Sequence, residues 1–198
     1  FKLWDGVRRR SLSGVRVGWA GGATHNDDLK LIEGVVKRLL ARHKEVKFVF
    51  AGGLPESMRG IKGIEYINGW VRIDKYPQHL ANMDCDIWLA PLVDNAFNRG
   101  KSNLRFIEGA AMRIPTVASN VGHFKETIKN GVDGFLADNE TEFEAYLERL
   151  IVDKDARKKM GLAAYQRIYK DFNVDTTVKY YTDCLQSMIA SKLEVALP

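Results

Sequence analysis

Phe97–Ser119 reads FNRGKSNLRFIEGAAMRIPTVAS. Arg99, Gly100 and Lys101 form a loop that runs into Ser102, a residue type that favours helix N-caps. A helix is expected from there to Met112, then Pro115 and a short β-branched strand at Thr116–Ala118. Backbone N–H groups at a helix start attract anions, and Lys101 and Arg105 add positive charge at the same end. Glu108 lies roughly 9 Å along the helix from Ser102, at about 1.5 Å per residue.

Outward from this stretch the same loop, helix and strand alternation repeats. Ile87–Ala90 (IWLA) is an apolar run of the kind found in strands buried on both faces. Further strands are expected at Val15–Ala20, Val46–Ala51, Ile64–Ile67 and Gly134–Ala137. From Asn26 onward Leu29, Ile32, Val35, Val36, Leu39 and Leu40 recur at helical spacing and predict one helix with a broad buried face. Short helices are expected at Lys75–Asn82, with Pro77 in its first turn, and around Phe124–Lys129. The pattern is the sequence form of an α/β fold with a doubly wound parallel sheet. C-terminal helices follow at Glu142–Val152, Asp155–Tyr169 and Asp175–Leu193. The expected division is a leader over residues 1–14, an α/β domain over 15–172 and a C-terminal helix over 173–198.

At 198 residues the chain suits one domain, or one domain with a helical appendage. Hydrophobic residues at 45% and charged residues at 28% exclude a disordered chain. The longest apolar runs fall short of the ~18 residues a membrane span needs, so no transmembrane segment is expected. Cys85 and Cys184 lack metal-ligand spacing and read as free thiols in a reducing compartment. The expected location is therefore cytoplasmic, with peripheral attachment at the inner face of the membrane as a variant. The net charge of +5 is mild and mostly dispersed; Arg8–Arg10 is the concentrated run and reads as a solvated linker. No aromatic and basic alternation supports a nucleic-acid partner. The chain opens on Phe1, and the expectation is a piece of a longer protein, with any interdomain site present only in half.

Ligands of open α/β sheets bind beyond the carboxyl ends of the strands. Three loops there have unusual composition: Gly21–His25, Asp94–Ser102 and Asn120–Phe124. Gly21 and Gly22 permit close backbone approach to a ligand, although they form neither a G-x-G-x-x-G nor a Walker A motif, and a tight turn explains them equally. His25 is a candidate hydrogen-bond donor to a phosphate or sugar, or else an exposed loop histidine. Arg99, Lys101, Ser102 and Arg105 cluster at the helix start. A diphosphate at that tip and a sugar hydroxyl against Glu108 suit the spacing, while a surface pair between Arg105 and Glu108 is the competing explanation. Gly122 and His123 either touch a ligand through the backbone or cap the next helix. Trp19, Trp70 and Trp88 read as core or crevice wall. No Ser-His-Asp set and no metal-ligand cluster competes with these candidates, and no metal is expected.

From Ile87 to Leu136 the chain resembles the C-terminal, donor-binding half of a retaining GT-B glycosyltransferase of the group-1 (family 4) class. The residues KSNLRFIEGAAMRIPTVASNVGHFKETIKNGVDGFL carry the likeness: a Glu-led helix, a small-residue stretch, a Pro turn, V-A-S, a Gly loop, Glu, and N-G-x-x-G-F-L. The resemblance implies a Rossmann-like half of the GT-B fold, with a nucleoside-diphosphate sugar as donor substrate and no other cofactor. It implies transfer of a hexosyl group to a glycan or lipid-linked acceptor in polysaccharide assembly, the acceptor being held by an N-terminal domain. Residues 173–198 would pack back on that domain, and this piece alone would be inactive. Glu108 matches the glutamate that holds the ribose. Ser102, Asn103 and Leu104 match the helix start that meets the diphosphate, and Gly22 lies in the glycine loop after the first strand. Lys101 and Glu108 are the expected catalytic pair. Positive groups and the helix dipole would stabilise the leaving diphosphate without a metal ion.

Two positions depart from the family pattern. Gly100 stands where a second glutamate, near the transferred sugar, is usual. The Arg and Lys that usually follow the first strand are absent from Gly18–Asp28. Lys101, Arg105 or Arg99 are the candidates to replace that charge. These departures motivate a degenerate, glycosyltransferase-like binding module as the alternative. A non-hydrolysing nucleotide-sugar epimerase of the same fold would need acid and base residues that the sequence does not locate.

Overall fold

The computed structural model describes Trp4, Gly6, Val7, residues 13–69 and residues 71–195; the Arg8–Arg10 run and Trp70 lie outside the described residues. The expected strands form β1 (Arg16–Ala20), β2 (Lys47–Ala51), β3 (Ile64–Ile67), β4 (Ile87–Ala90), β5 (Thr116–Ser119) and β6 (Gly134–Ala137). All pair in parallel in the order β3-β2-β1-β4-β5-β6. In register, Val17 of β1 lies beside Phe48 on one side and Ile87 on the other. The direction of winding reverses between β1 and β4, and such a reversal opens a crevice at the carboxyl ends of the two strands.

The helices are α1 (Asn26–Lys30), α2 (Glu33–Arg42), α3 (Tyr76–Asn82), α4 (Ala96–Arg99), α5 (Leu104–Ala111), α6 (His123–Thr127), α7 (Glu140–Val152), α8 (Lys154–Asp171) and α9 (Val174–Val195). Alternation along each strand divides its side chains between two helix layers. Val17, Trp19, Phe48, Phe50, Leu89 and Phe135 cluster with Val35 and Leu39 of α2 and with Leu147 and Leu150 of α7. On the other face, Val49 and Trp88 pack with Leu80 and Ala81 of α3. Ala90, Ala118 and Leu136 pack there with Phe106 of α5 and with Ala164 and Ile168 of α8. Burying each large apolar side chain contributes about 1.5–3 kcal/mol. Gly109 lets α5 lie close on the sheet, since a Cβ there would stand 2.8 Å from Thr116 Oγ1 and 3.2 Å from Trp88. That close seating carries the preceding residue, Glu108, into the protein beside β1 and β4.

The local differences from expectation have physical causes. The helix expected to run unbroken from Asn26 is two helices, with Ile32 (φ −109°, ψ 3°) outside helical geometry. The apolar stripe crosses the break intact, because Leu29, Ile32, Val35 and Val36 are all buried, and so periodicity did not register it. The loop expected at Arg99 contains α4, whose first turn is capped by the Asn95 side chain accepting from Asn98 N at 2.8 Å. Ser102 is not the N-cap of α5. Asn103 takes that position, and its side-chain amide donates instead to Thr127 Oγ1 at 2.9 Å. Helix α6 begins at His123, one residue earlier than expected, after Gly122 at φ +53°.

Trp19 and Trp88 are fully buried, as expected of core residues. Cys85 and Cys184 are free thiols. Along α9, Val174, Val178, Tyr181, Leu185 and Met188 make an exposed apolar stripe at helical spacing. Among the described residues, no helix is long and apolar enough to cross a membrane.

Candidate functional site

A pocket of about 290 Å³ opens at the β1–β4 reversal, lined by Ala20, Gly21, His25, Tyr76, Lys101, Ser102, Leu104, Arg105 and Glu108. Two loops build it, one after β1 and one between β4 and α5, and α3 closes a side. Arg105 forms its inner wall. Its Nε donates to Ala20 O at 3.1 Å and its guanidinium lies 5.0 Å from the centre of the Trp19 ring. Glycine at position 21 leaves room for this arrangement, because a Cβ there would come within 2.1 Å of an Arg105 guanidinium nitrogen and 2.7 Å of the Trp19 ring. Burial pushes Arg105 down from arginine's ordinary value, and Glu108, Tyr76 and Asp28 oppose that shift.

Glu108, 4% exposed, is a buried acid and not a member of a surface pair. Burial pushes its carboxyl up to about 7, against the attraction of Arg105 and a hydrogen bond from Tyr76. The Tyr76 phenol is pushed up in turn, first by its own burial and then by Glu108, so it remains a neutral donor. A carboxyl poised in this way gains most from a ligand that brings hydroxyl donors, since these favour its charged form.

Behind His25 and Lys101 lies a second buried carboxylate, Asp28 of α1, 3% exposed. It accepts from Val93 N at 2.8 Å, from Asn98 Nδ2 at 2.8 Å and from Lys101 Nζ at 3.4 Å, and it bonds His25 Nδ1 at 2.7 Å. Burial pushes this carboxyl up, but the bonds from His25 and Val93 and the charge of Lys101 outweigh burial and hold it below its ordinary value. His25 also packs edge-on to Trp19, with ring centres 5.8 Å apart.

Of the residues singled out in the sequence, Gly21, His25, Lys101, Ser102, Leu104, Arg105 and Glu108 share this pocket. Gly22, Arg99, Gly100, Asn103, Gly122 and His123 are not among its lining residues. Arg99 is exposed and turned onto Asp94, with contacts of 2.6 and 3.1 Å. Gly100 ends α4 at φ −86°, and a Cβ there would meet only Phe97 O, at 3.6 Å. Gly22 O accepts from His25 N at 3.2 Å in the turn after β1. Gly122 packs on the Arg99 backbone, and His123 is exposed beside Glu126 at 3.1 Å. The third loop therefore reaches the second one but not the pocket. A separate crevice of about 190 Å³, at the ends of β5 and β6, is lined by Asp94, Asp138 and Glu140 and has the wrong charge for an anion.

Asp28 and Tyr76 were missed in the sequence. Asp28 reads as ordinary acidic dressing of a helix start, and Tyr76 sits in a helix whose pattern speaks only of packing. Among the described residues, no group of three His, Cys, Asp or Glu side chains is arranged to hold a metal ion.

The fold is a doubly wound α/β domain whose pocket at the reversal point brings Lys101, Arg105 and the buried Glu108 together. Residues 14–153 match the family described as glycosyl transferases group 1, and the chain belongs to that family of sugar-transferring enzymes. No curated protein matches the chain significantly by sequence. The fold is similar to the C-terminal domain of the group 1 glycosyl transferase LpcC from Francisella tularensis, at 17% identity and TM-score 0.61, covering 87% of this chain and 92% of that one. It is also similar to Anabaena HepE in complex with UDP and glucose, at 18% identity and TM-score 0.65, covering 88% of this chain and 48% of that one. Sucrose-phosphate synthase from Thermosynechococcus elongatus gives 14% identity and TM-score 0.67, over 90% and 46%. The chain thus spans nearly all of the LpcC domain and about half of the two longer proteins, and its fold is the Rossmann-like half of a GT-B glycosyltransferase.

Proposed function

We propose that the chain is the nucleotide-sugar donor-binding domain of a glycosyltransferase that moves a hexosyl group to a glycan or lipid-linked acceptor. The observation that carries this reading is the pocket at the β1–β4 reversal, where Lys101, Arg105 and His25 surround the space before α5 and Glu108 lies buried further along it. In this reading the diphosphate meets Lys101, Arg105, His25, Ser102 and the backbone at Gly21 and Leu104, while Glu108 accepts from the ribose hydroxyls. As the bond to the sugar breaks, negative charge grows on the leaving diphosphate, and cations already in position lower that barrier. Lys101 and Arg105 supply the charge that a metal ion provides elsewhere, and the anomeric configuration is retained. HepE has been described with UDP-glucose bound, which supports a nucleoside-diphosphate sugar as the donor class.

The acceptor site belongs to an N-terminal domain, on which the exposed apolar stripe of α9 packs. Isolated, this chain then binds nucleotide but transfers little sugar. The setting is polysaccharide assembly in the cytoplasm or at the inner face of the membrane. Calorimetric titration with UDP, GDP and ADP tests the reading. At least one should bind, and Lys101→Ala should weaken it by about ten- to a hundredfold, the weight of a hydrogen bond to a charged group. Gly100, at the place of a sugar-contacting acid, favours the degenerate binding module as a second reading, and binding of none of the three nucleotides would support it.

A further inference from the structure

The Asp28 carboxylate lies behind the pocket and is not among the residues that line it. Its Oδ1 accepts from Val93 N and Asn98 Nδ2, both at 2.8 Å, which ties α1 to the segment between β4 and α5. Its Oδ2 faces His25 Nδ1 at 2.7 Å and Lys101 Nζ at 3.4 Å. One buried carboxylate therefore joins the loop after β1 to the loop after β4, the two loops that bring His25 and Lys101 to the pocket.

The hydrogen-bond roles follow from charge. The carboxyl is held below its ordinary value, so it is ionised and can only accept. His25 Nδ1 must then carry the proton of that bond. Lys101 Nζ stands 3.3 Å from the same Nδ1, but an ammonium and an N–H are both donors, so each serves Oδ2 and neither serves the other. With Nδ1–H committed, Nε2 is the ring nitrogen that His25 has for a ligand. Lys101 spends one of its three protons on Asp28 and keeps two.

We propose that Asp28 is the positioning residue of the diphosphate site: it holds a proton on His25 Nδ1, fixes the ring orientation and sets the reach of Lys101, so that Lys101 and a doubly protonated His25 both present donors to phosphate oxygens. The inference rests on the nucleotide reading above. It also accounts for the missing Arg and Lys after β1, because a histidine and a lysine anchored on a shared carboxylate stand where that charge is needed.

Asp28→Asn is the test, since its amide oxygen can still accept from Val93 and Asn98 while the charge beneath His25 and Lys101 is gone. UDP, GDP and ADP, each against its own nucleoside, are titrated into wild type and variant and followed by NMR. Orienting residues behind metal-ligating side chains cost about 10–100-fold when lost, and about tenfold is expected here for the diphosphate, with the nucleoside unchanged. Equal losses for diphosphate and nucleoside, or unchanged diphosphate affinity, would overturn the proposal. Nitrogen NMR of the His25 ring gives a second readout that does not depend on the variant folding. Wild-type His25 must carry a proton on Nδ1, joined by one on Nε2 when nucleotide is bound, and a ring bare at Nδ1 would also overturn it. A wild type that binds none of the three nucleotides sinks the underlying reading, whereas wild-type binding left untouched by Asp28→Asn sinks this inference alone.

Discussion

The two sides of the pocket each bury one carboxylate, and they treat it in opposite ways. On the α5 side Glu108 is 4% exposed and its carboxyl is pushed up to about 7. On the α1 side Asp28 is 3% exposed, yet its carboxyl sits below the ordinary value. Burial is nearly equal, so burial does not decide the outcome. What differs is the number of donors: Asp28 is bonded by Val93, Asn98, His25 and Lys101, whereas Glu108 has the Tyr76 hydroxyl and the nearby charge of Arg105. A satisfied carboxylate is a fixture of the fold, and an under-satisfied one is a place for a ligand. The α1 side is built to stay as it is. The α5 side is built to be completed.

The largest effect should come from the saturated side. Asp28→Ala leaves Val93 N without its acceptor, leaves Asn98 Nδ2 only Val93 O at 2.8 Å, and strips Lys101 of its carboxylate partner. Breaking a buried pair costs about 3–5 kcal/mol, and with Lys101 partly in contact with solvent we expect the lower end of that range. Urea denaturation at pH 7 measures it, and a loss under about 1 kcal/mol would mean that the α1 side is not the rigid one.

The second effect is a pH slope. Glu108 takes up its proton in the folded state at about 7 but near 4.5 when unfolded. Between those values the folded protein holds a proton that the unfolded chain has released. The resulting stability is fully present below 4.5 and is lost as pH rises through 7. It amounts to roughly 3 kcal/mol at most. Asp28 runs the other way: its contribution is present above 3.8 and fades only as pH falls through its lowered folded value. Denaturation at pH 5 and pH 8 should therefore show wild type losing stability with rising pH relative to Glu108→Gln. Parallel profiles for the two would contradict the contrast.

Tyr76→Phe is smaller, about 1 kcal/mol for one hydrogen bond. Because that bond favours the charged form of Glu108, its loss should drive the carboxyl still further up, which carboxyl NMR can follow.

The sheet was legible because its inner strands are largely buried on both faces, and IWLA at Ile87–Ala90 has little else it can do in water. The break after Lys30 was not legible, since the buried stripe from Leu29 to Val36 runs straight across it. The same asymmetry holds in the site. Lys101, Ser102, Leu104, Arg105 and Glu108 are neighbours in sequence on one loop and helix, and topology brings Gly21 and His25 to them. Asp28 could not be read in this way, because its partners Val93 and Asn98 lie 65 and 70 residues away in the chain. Arg99 looked like another cation for an anion, but Asp94, five residues back, holds it on the surface.

Gly100 sharpens the comparison at the least energetic cost. Its backbone is ordinary at φ −86° and a Cβ would have only Phe97 O nearby, at 3.6 Å, so neither conformation nor space requires glycine. Gly100→Glu should change stability by no more than about 0.5 kcal/mol, as expected of an exposed substitution away from any special feature. The new carboxylate would be carried by the residue next to Lys101, which lines the pocket. If the family's sugar-contacting acid is what this position lacks, the variant should bind a nucleotide sugar more tightly than wild type while its affinity for the bare nucleoside diphosphate stays level. A parallel loss of affinity for both ligands would instead mean that a negative charge at residue 100 repels the diphosphate. The α5 side would then be a nucleotide site with no place for an acid against the sugar.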